Sequence, residues 1–211
     1  MSGETVTGLL ADLGAERATT WDPAVLEAGA AARAHAIESA ATHPTARPGD
    51  AVAPFELTDV DDGALTLADV TADGPVVLLF FRFAGCGVCN LTLPHYGRVL
   101  APELAALGVP LVAVSPQPVD ELVEIKRAHD LPFRVAYDAD NALARSLGLT
   151  FTPKEPMGPP GGTSFAELPH PSFVLVDGDG VVRWLSVTPD WMAWTESADV
   201  LAAVRQLLAT P

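Results

Sequence analysis

Residues 76–90 read VVLLFFRFAGCGVCN and contain both cysteines of the chain, Cys86 and Cys89. The apolar run follows a Gly-Pro turn signal, which is typical of a strand buried on both faces of a sheet. After the cysteines, apolar residues recur at helical spacing from Val88 to Leu107. The sequence therefore predicts that the CxxC pair lies at a strand-to-helix junction.

This position favours redox chemistry at the pair. If Cys86 caps the helix or begins it, the unpaired N–H groups and the dipole of the first turn stabilise its thiolate. Cys89, one turn further on, would be partly buried and close enough to form a disulfide, as thiol–disulfide exchange requires. Inert buried thiols are one alternative. A zinc site is another, with His95 and His170 as its only further ligands, but no second paired spacing supports it. We expect no metal and no other cofactor.

The composition excludes several classes of partner. The 211 residues are 49% hydrophobic and carry 27 acidic against 12 basic side chains, a net charge of −15. Such a surface repels phosphate backbones and anionic lipids, so we expect neither nucleic acid nor a membrane as partner. The longest apolar run, Val76 to Phe81, is too short to cross a bilayer, and the N-terminus lacks a secretory pattern. We expect a cytoplasmic protein, where a close cysteine pair is more often catalytic or metal-binding than structural.

The pattern along the chain predicts two parts. Residues 1–44 form an Ala-rich, helical N-terminal extension, and residues 45–211 form an α/β domain in which strands and helices alternate. Asp140 is predicted to cap a helix that ends at Gly148, and a hairpin is predicted around the DGDG turn at 177–180. The Pro- and Gly-rich segment 150–171 is either a functional loop or an ordinary surface excursion.

Several segments resemble known families. A CxxC after a buried strand, Pro94 eight residues after Cys86, and Pro171 in HPSFVLVD resemble the thioredoxin fold, a central mixed sheet flanked by helices. The resemblance is closer to the peroxiredoxin-like AhpC/TSA family and covers roughly residues 49–210. The segments that carry it are GDAVAPFEL, VVLLFFRFAGCGVCN, LVAVSPQPVDEL, FRVAYDADNALARSLGL and PSFVLVDGDGVVRW. The resemblance implies that Pro94 kinks the active-site helix and that Pro171 follows a cis peptide bond facing the cysteines.

The chain departs from the peroxiredoxin pattern Pro-x-x-x-Thr-x-x-Cys. Cys89 takes the position of the cysteine, Cys86 that of the threonine, and Arg82 that of the proline. The hydroxyl that would orient a peroxide is therefore missing. The family register indicates Cys89 as the attacking residue, whereas helix geometry indicates Cys86. Phe80 also replaces the buried acid that thioredoxins carry six residues before the first cysteine.

Three neighbours of the pair are candidate site residues. Arg82, at the end of the apolar strand, could stabilise a thiolate or could be a surface arginine paired with an acid. The resemblance places His170 beside the cysteines, where it could lower the pKa of Cys86 or relay a proton; the alternative is a solvent-facing loop histidine. Pro171 would shape the substrate face.

These observations predict a thiol-dependent redox enzyme in which Cys86 attacks and Cys89 resolves, by thiol–disulfide exchange or antioxidant reduction. One alternative is a peroxidase that reduces hydrogen peroxide or alkyl hydroperoxides through a sulfenic acid. Another is a redox-responsive binding module without turnover. The substrate would be a peroxide or a disulfide. The resemblance implies a thioredoxin or low-molecular-weight-thiol system as electron donor, and it leaves room for a homodimer.

Overall fold

The computed structural model describes residues 5–158 and 161–210. Its main sheet has seven strands in the order β2-β1-β5-β4-β3-β8-β9, and β6 and β7 form a separate two-stranded sheet. The strands are β1 (Glu56–Asp59), β2 (Gly63–Thr66), β3 (Val76–Phe80), β4 (Leu111–Ser115), β5 (Arg134–Tyr137), β6 (Thr150–Phe151), β7 (Leu168–Pro169), β8 (Ser172–Val176) and β9 (Val182–Val187). Strands β3, β4 and β5 are parallel, and β1, β2, β8 and β9 add antiparallel pairs at the two sides.

Helices cover this sheet. They are α1 (Val6–Thr20), α2 (Pro23–Ala40), α3 (Leu67–Thr71), α4 (Gly87–Val99), α5 (Ala101–Ala106), α6 (Val119–Ala128), α7 (Ala142–Ser146) and α8 (Ser197–Leu208), with a 3-10 turn at Ala139–Asn141. A mixed sheet between helices is the thioredoxin-like α/β fold that the sequence predicts. In the part of the chain that the structure describes, every helix is too short or too polar to cross a membrane.

The alternation of β3 divides the interior into two cores. Val77 and Leu79 face one core, whereas Val76, Leu78 and Phe80 face the other, because successive side chains of a strand point to opposite sides. All five β3 residues are fully buried, as predicted for a strand covered on both faces. The first core contains α4 and both cysteines, so α4 packs on the face of the main sheet that Val77 and Leu79 line.

The helices of the N-terminal extension pack on this first core. Val6, Leu10 and Ala36 are buried in it. The Glu196 carboxylate accepts hydrogen bonds from Val6 N at 3.1 Å and Thr7 N at 2.8 Å. It thereby satisfies N–H groups that the first turn of α1 leaves unpaired.

The cap predicted at Asp140 is wrong. Asp138 makes the bonds instead: its carboxylate accepts from Leu143 N at 2.9 Å and Ala144 N at 3.0 Å. Asp140 itself adopts a left-handed conformation, with φ of 54°, which turns the chain into α7. The buried Asp138 carboxylate gains more from these N–H donors than an exposed residue two positions later would.

Candidate active site

Cys86 lies at the N-terminus of α4, as the N-cap residue. Its backbone is extended, with φ −76° and ψ 113°, and its Sγ accepts a hydrogen bond from Cys89 N at 3.4 Å. Cys89 follows one turn later with no exposed surface, and Cys86 is 4% exposed. Both thiols are free. The pair therefore sits at the strand-to-helix junction, with the first turn of the helix directed at Cys86.

Arg82 is inside the protein rather than on its surface. The residue is 5% exposed, and its Nη2 donates a hydrogen bond to Cys86 Sγ at 3.0 Å. The guanidinium lies 4.4 Å from the centre of the Trp191 ring, a cation–π arrangement that favours a buried cation. Within the described residues, Nε and Nη1 of Arg82 have no hydrogen-bond partner. The site thus holds a buried positive charge, and two of its nitrogen donors make no hydrogen bond to the described residues.

The two thiols have opposite electrostatic environments. Burial raises the pKa of Cys86, but the hydrogen bond from the Cys89 side chain, the charge of Arg82 and the Cys89 N–H together bring it well below the usual thiol value. Burial and the hydrogen bond to Cys86 hold the pKa of Cys89 well above that value. These environments favour the thiolate at Cys86 and the neutral thiol at Cys89.

A polar network fixes the turn before the helix. Asn90 Nδ2 donates to the carbonyls of Ala84 and Cys86, the latter at 3.0 Å, and Ala84 N donates to Gln117 Oε1. Asn90 Oδ1 in turn lies 2.7 Å from Nε2 of His129. Because these contacts satisfy the backbone around Cys86, the position of its sulfur is set by the fold.

His170 is not hydrogen-bonded to the cysteines: within the described residues, neither of its ring nitrogens has a partner. It is 2% exposed and stacks on Phe151 at 4.7 Å, and Phe151 stacks in turn on Trp191 at 6.4 Å. The rings of Phe151 and Trp191 thus connect His170 to Arg82, which lies over Trp191. Burial, with a smaller repulsion from His43, lowers the pKa of His170 to about 4. A neutral imidazole supplies no positive charge to Cys86, and because His170 is buried, the solvent-facing alternative is wrong.

The peptide bond before Pro171 is trans, so the cis bond that the resemblance implies is absent here. The backbone on both sides is already paired: His170 N donates to the Leu149 carbonyl at 2.8 Å, and the Pro171 carbonyl accepts from Thr188 N at 2.9 Å.

The sequence analysis missed one residue of the site. A cavity of about 350 Å³ opens beside Cys86, and α1 and α2 form one wall of it. Arg17 of α1 reaches the cavity, and its Nη2 lies 2.9 Å from the position that a Cβ atom on Gly87 would occupy. Nothing local in the Ala-rich extension could have indicated this contact. Among the residues that the structure describes, no group of His, Cys, Asp or Glu side chains is arranged to hold a metal ion.

Solved structures share the fold. This chain superposes on peroxidoxin BcpB from Mycobacterium tuberculosis with a TM-score of 0.62 and 24% identity, over 76% of this chain and 97% of that one. It superposes on a cysteine-to-serine mutant of Peroxiredoxin 6 of Arenicola marina with a TM-score of 0.65 and 19% identity, over 78% and 74%. At these identities the similarity shows the fold alone.

Sequence relatives identify the family. The protein named "Putative peroxiredoxin Rv1608c" of Mycobacterium tuberculosis is 32% identical over 101 residues, which cover 48% of this chain and 65% of that protein. The match thus spans slightly less than two thirds of the relative's length. Residues 48–185 match the family model described as "AhpC/TSA family", which confirms the resemblance seen in the sequence. The chain belongs to the AhpC/TSA family.

Proposed function

We propose that this protein is a thiol-dependent redox enzyme in which Cys86 is the nucleophile and Cys89 the resolving thiol. One observation carries the proposal. Cys86 Sγ, at the start of α4, accepts hydrogen bonds from the buried Arg82 guanidinium at 3.0 Å and from Cys89 N at 3.4 Å. This arrangement stabilises a thiolate at Cys86, and the thiolate is the reactive form of cysteine.

The burial of the pair favours a small hydroperoxide over a protein disulfide as the oxidising substrate. Cys86 is 4% exposed and Cys89 is fully buried, so a folded protein partner has little sulfur surface to attack. Nε and Nη1 of Arg82, which have no hydrogen-bond partner among the described residues, supply donors beside the reacting sulfur. In the proposed reaction these donors replace the missing threonine hydroxyl, because they stabilise the leaving oxygen of the hydroperoxide.

The reaction then has two balanced steps. The Cys86 thiolate attacks the terminal oxygen of ROOH, an S–O bond forms, the O–O bond breaks, and the alkoxide takes up a proton to leave as ROH. The Cys89 thiol next attacks Cys86 Sγ of the sulfenic acid, an S–S bond forms, and the hydroxide leaves with the Cys89 proton as water. One peroxide is reduced by two electrons while two thiols become one disulfide.

Thiol–disulfide exchange completes the cycle. An external thiol attacks the Cys86–Cys89 disulfide, forms a mixed disulfide and restores the dithiol. We assign this role to a thioredoxin or a low-molecular-weight thiol of a reducing cytoplasm, where such donors are maintained. Because both cysteines come from one chain, the scheme does not require a homodimer.

The test is the rate at which the fully reduced protein loses two hydrogens when treated with a hydroperoxide, followed by intact mass beside a small free thiol at the same pH. The proposal expects the protein to react far faster than the free thiol. Cys89→Ser should stop at a sulfenic acid on Cys86 that a dimedone-type reagent traps, and Cys86→Ser should form none. Oxidation no faster than the free thiol would contradict peroxide as the substrate.

The same preparations separate the remaining alternatives. If peroxide reacts slowly but a small disulfide is reduced rapidly, exchange is the working function. If neither reacts, a pull-down with the reduced and the oxidised protein tests a redox-responsive binding module, and an identical set of partners in both states would contradict that role.

A further inference from the structure

The cavity beside Cys86 is built mostly outside the region that matches the family. Of its eighteen described lining residues, eight lie between residues 14 and 33, and two, Trp191 and Met192, follow residue 185. Ten of the eighteen therefore lie beyond the matched residues 48–185. The helices α1 and α2 add this wall to the family fold, so the cavity distinguishes this chain's site from the shared core.

The charge of the cavity is opposite to that of the protein. The chain has a net charge of −15 and only 12 basic residues, yet three arginines line the cavity, and none of its described lining residues is acidic. Arg33 is neutralised by Asp190, with two hydrogen bonds of 2.7 and 2.5 Å. Arg82 is engaged with Cys86. Among the described residues, the third arginine, Arg17, has no carboxylate hydrogen-bonded to it, and Met192 Sδ is its acceptor.

Arg17 is held mainly by soft contacts. It lies 4.5 Å from the centre of the Trp21 ring, and its Nη1 donates to Met192 Sδ at 3.7 Å. Its Nε is buried without a hydrogen-bond partner among the described residues. Cys86 exerts the largest attractive charge effect on Arg17, Arg82 opposes it, and Glu16 adds a smaller attraction. The guanidinium therefore has donors available for an anion, in an orientation that Trp21 already fixes.

An anion bound by Arg17 would lie close to the sulfur of Cys86. Nη2 of Arg17 lies over Gly87, the residue directly after Cys86, at 2.9 Å from where a Cβ atom would be. The rest of the lining is largely apolar, with Trp21 45% and Val25 52% exposed at the extension side. A ligand held at Arg17 would place an apolar body against these side chains.

We propose that α1 and α2 form the substrate-binding wall and that Arg17 binds the carboxylate of an amphiphilic organic hydroperoxide. A guanidinium can hold a carboxylate through two parallel hydrogen bonds, which gives orientation as well as affinity. A cavity of about 350 Å³ lies at the small end of the range for ligand sites and fits one short apolar chain. The substrate class rests on the peroxidase chemistry proposed above. Arg17 forms no bond to the reacting atoms and acts as a specificity residue.

The first experiment measures binding without turnover. Decanoate and methyl decanoate are titrated into the reduced full-length protein, with calorimetry or tryptophan fluorescence as readout. Arg17→Gln should weaken decanoate binding by about 10- to 100-fold, because charge-assisted hydrogen bonds are lost, and should leave methyl decanoate unaffected. Arg127→Gln is the matched control, since Arg127 is an exposed arginine of α6 outside the cavity.

A second variant moves the charge without removing it. A methyl group at Gly87→Ala would meet Arg17 Nη2 and displace its flexible end, so decanoate binding should weaken in the same direction while the net charge stays constant. Equal decanoate affinity in the wild type and in both variants would overturn the proposal. Failure of the wild type to bind decanoate would also overturn it.

The turnover arm compares a carboxylate-bearing hydroperoxide with its methyl ester. The wild type should prefer the acid in kcat/KM, and Arg17→Gln should reduce that preference about 10-fold or more. Using the ratio cancels any general effect on Cys86. If the protein reduces no hydroperoxide at all, the proposed function fails while the decanoate titration still tests Arg17. An unchanged ratio in an active Arg17→Gln enzyme would overturn the specificity role.

Discussion

Two turns at opposite ends of the sheet use charged residues in different ways. Strands β3 and β8 are antiparallel neighbours, with Val76 beside Val176 and Phe80 beside Ser172. The turn after β8, at 177–180, is therefore at the far end from the active-site turn at 81–86. In the far turn, Asp177 accepts from Asp179 N at 3.0 Å, from Val181 N at 2.9 Å and from Arg183 Nε at 2.5 Å. The carboxylate there is fully engaged.

The active-site turn leaves its charge incompletely paired. Arg82 is buried, and its guanidinium donates to the sulfur of Cys86, while Nε and Nη1 have no partner among the described residues. Burying a cation without a full set of acceptors costs stability. The satisfied turn at Asp177 stabilises the fold. In the proposed reaction, the unpaired donors of Arg82 at the active-site turn instead stabilise the leaving oxygen of the peroxide.

The largest expected effect is at the active-site turn. Cys86→Ser should reduce the rate of peroxide consumption by roughly 1000-fold or more, because the serine hydroxyl stays protonated and is a far weaker nucleophile than the Cys86 thiolate. The unfolding midpoint in urea should stay close to that of the wild type. Cys89→Ser is the matched control and should still consume one peroxide per protein. Rapid peroxide consumption by Cys86→Ser would assign the attack to Cys89.

Arg82→Met should separate activity from stability at the same turn. We expect the reaction of Cys86 at neutral pH to slow by about 10- to 100-fold, because a charged hydrogen bond and a positive charge are both lost. The free energy of unfolding should not fall, since an incompletely paired buried charge is removed. Stopped-flow kinetics and urea unfolding measure the two quantities. Arg183→Met at the far turn is the control and should leave the rate unchanged.

Asp177→Ala should produce the reverse pattern at the far turn. Removing the carboxylate leaves the N–H groups of Asp179 and Val181 without their acceptor, so the free energy of unfolding should fall by about 1–3 kcal/mol. The rate at Cys86 should not change. Urea unfolding measured beside peroxide kinetics checks both, and a large loss of rate in a stable variant would show that the two ends are coupled.

The smallest expected effect is a difference in pH dependence. Burial raises the pKa of Asp177, but the Val181 N–H and Arg183 outweigh it and hold the pKa below the usual value of 3.8. This group therefore contributes stability that is fully present above its unfolded pKa and is lost as the pH falls through the lower folded pKa. Asp177→Asn should flatten the stability profile in that acid range. An unchanged profile would show that the pair with Arg183 adds nothing measurable.

The local sequence pattern predicted the turn at 177–180 and the strand β3 better than it predicted the surroundings of Arg82. The DGDG turn and the buried run of β3 follow from adjacent residues, so the sequence could predict both. The position of Cys86 at a helix start was also readable, because strand and helix patterns meet there. The placement of Arg82 against Trp191 depends on packing between distant segments, and the sequence left its surface alternative open.

The expectations for Pro171 and His170 and the failure to identify Arg17 also concern contacts between distant segments. The cis bond at Pro171 and a role for His170 at the thiolate were carried over from a resemblance; here the bond is trans, and His170 stacks on Phe151. Arg17 was missed because its contact with Gly87 joins the N-terminal extension to the family core. Hydrophobic periodicity and amino-acid composition describe individual helices and strands, and they do not indicate contacts between distant segments.

The central claim is that Cys86 is the ionised member of the pair, and its most direct test is alkylation of the reduced wild-type protein over a range of pH. Iodoacetamide labelling at each cysteine is followed by peptide mapping. The account predicts that Cys86 is labelled first, with a midpoint well below the ordinary thiol value of about 8.5, and that Cys89 stays unlabelled until much higher pH. Earlier labelling of Cys89, or a Cys86 midpoint at the ordinary value, would contradict it.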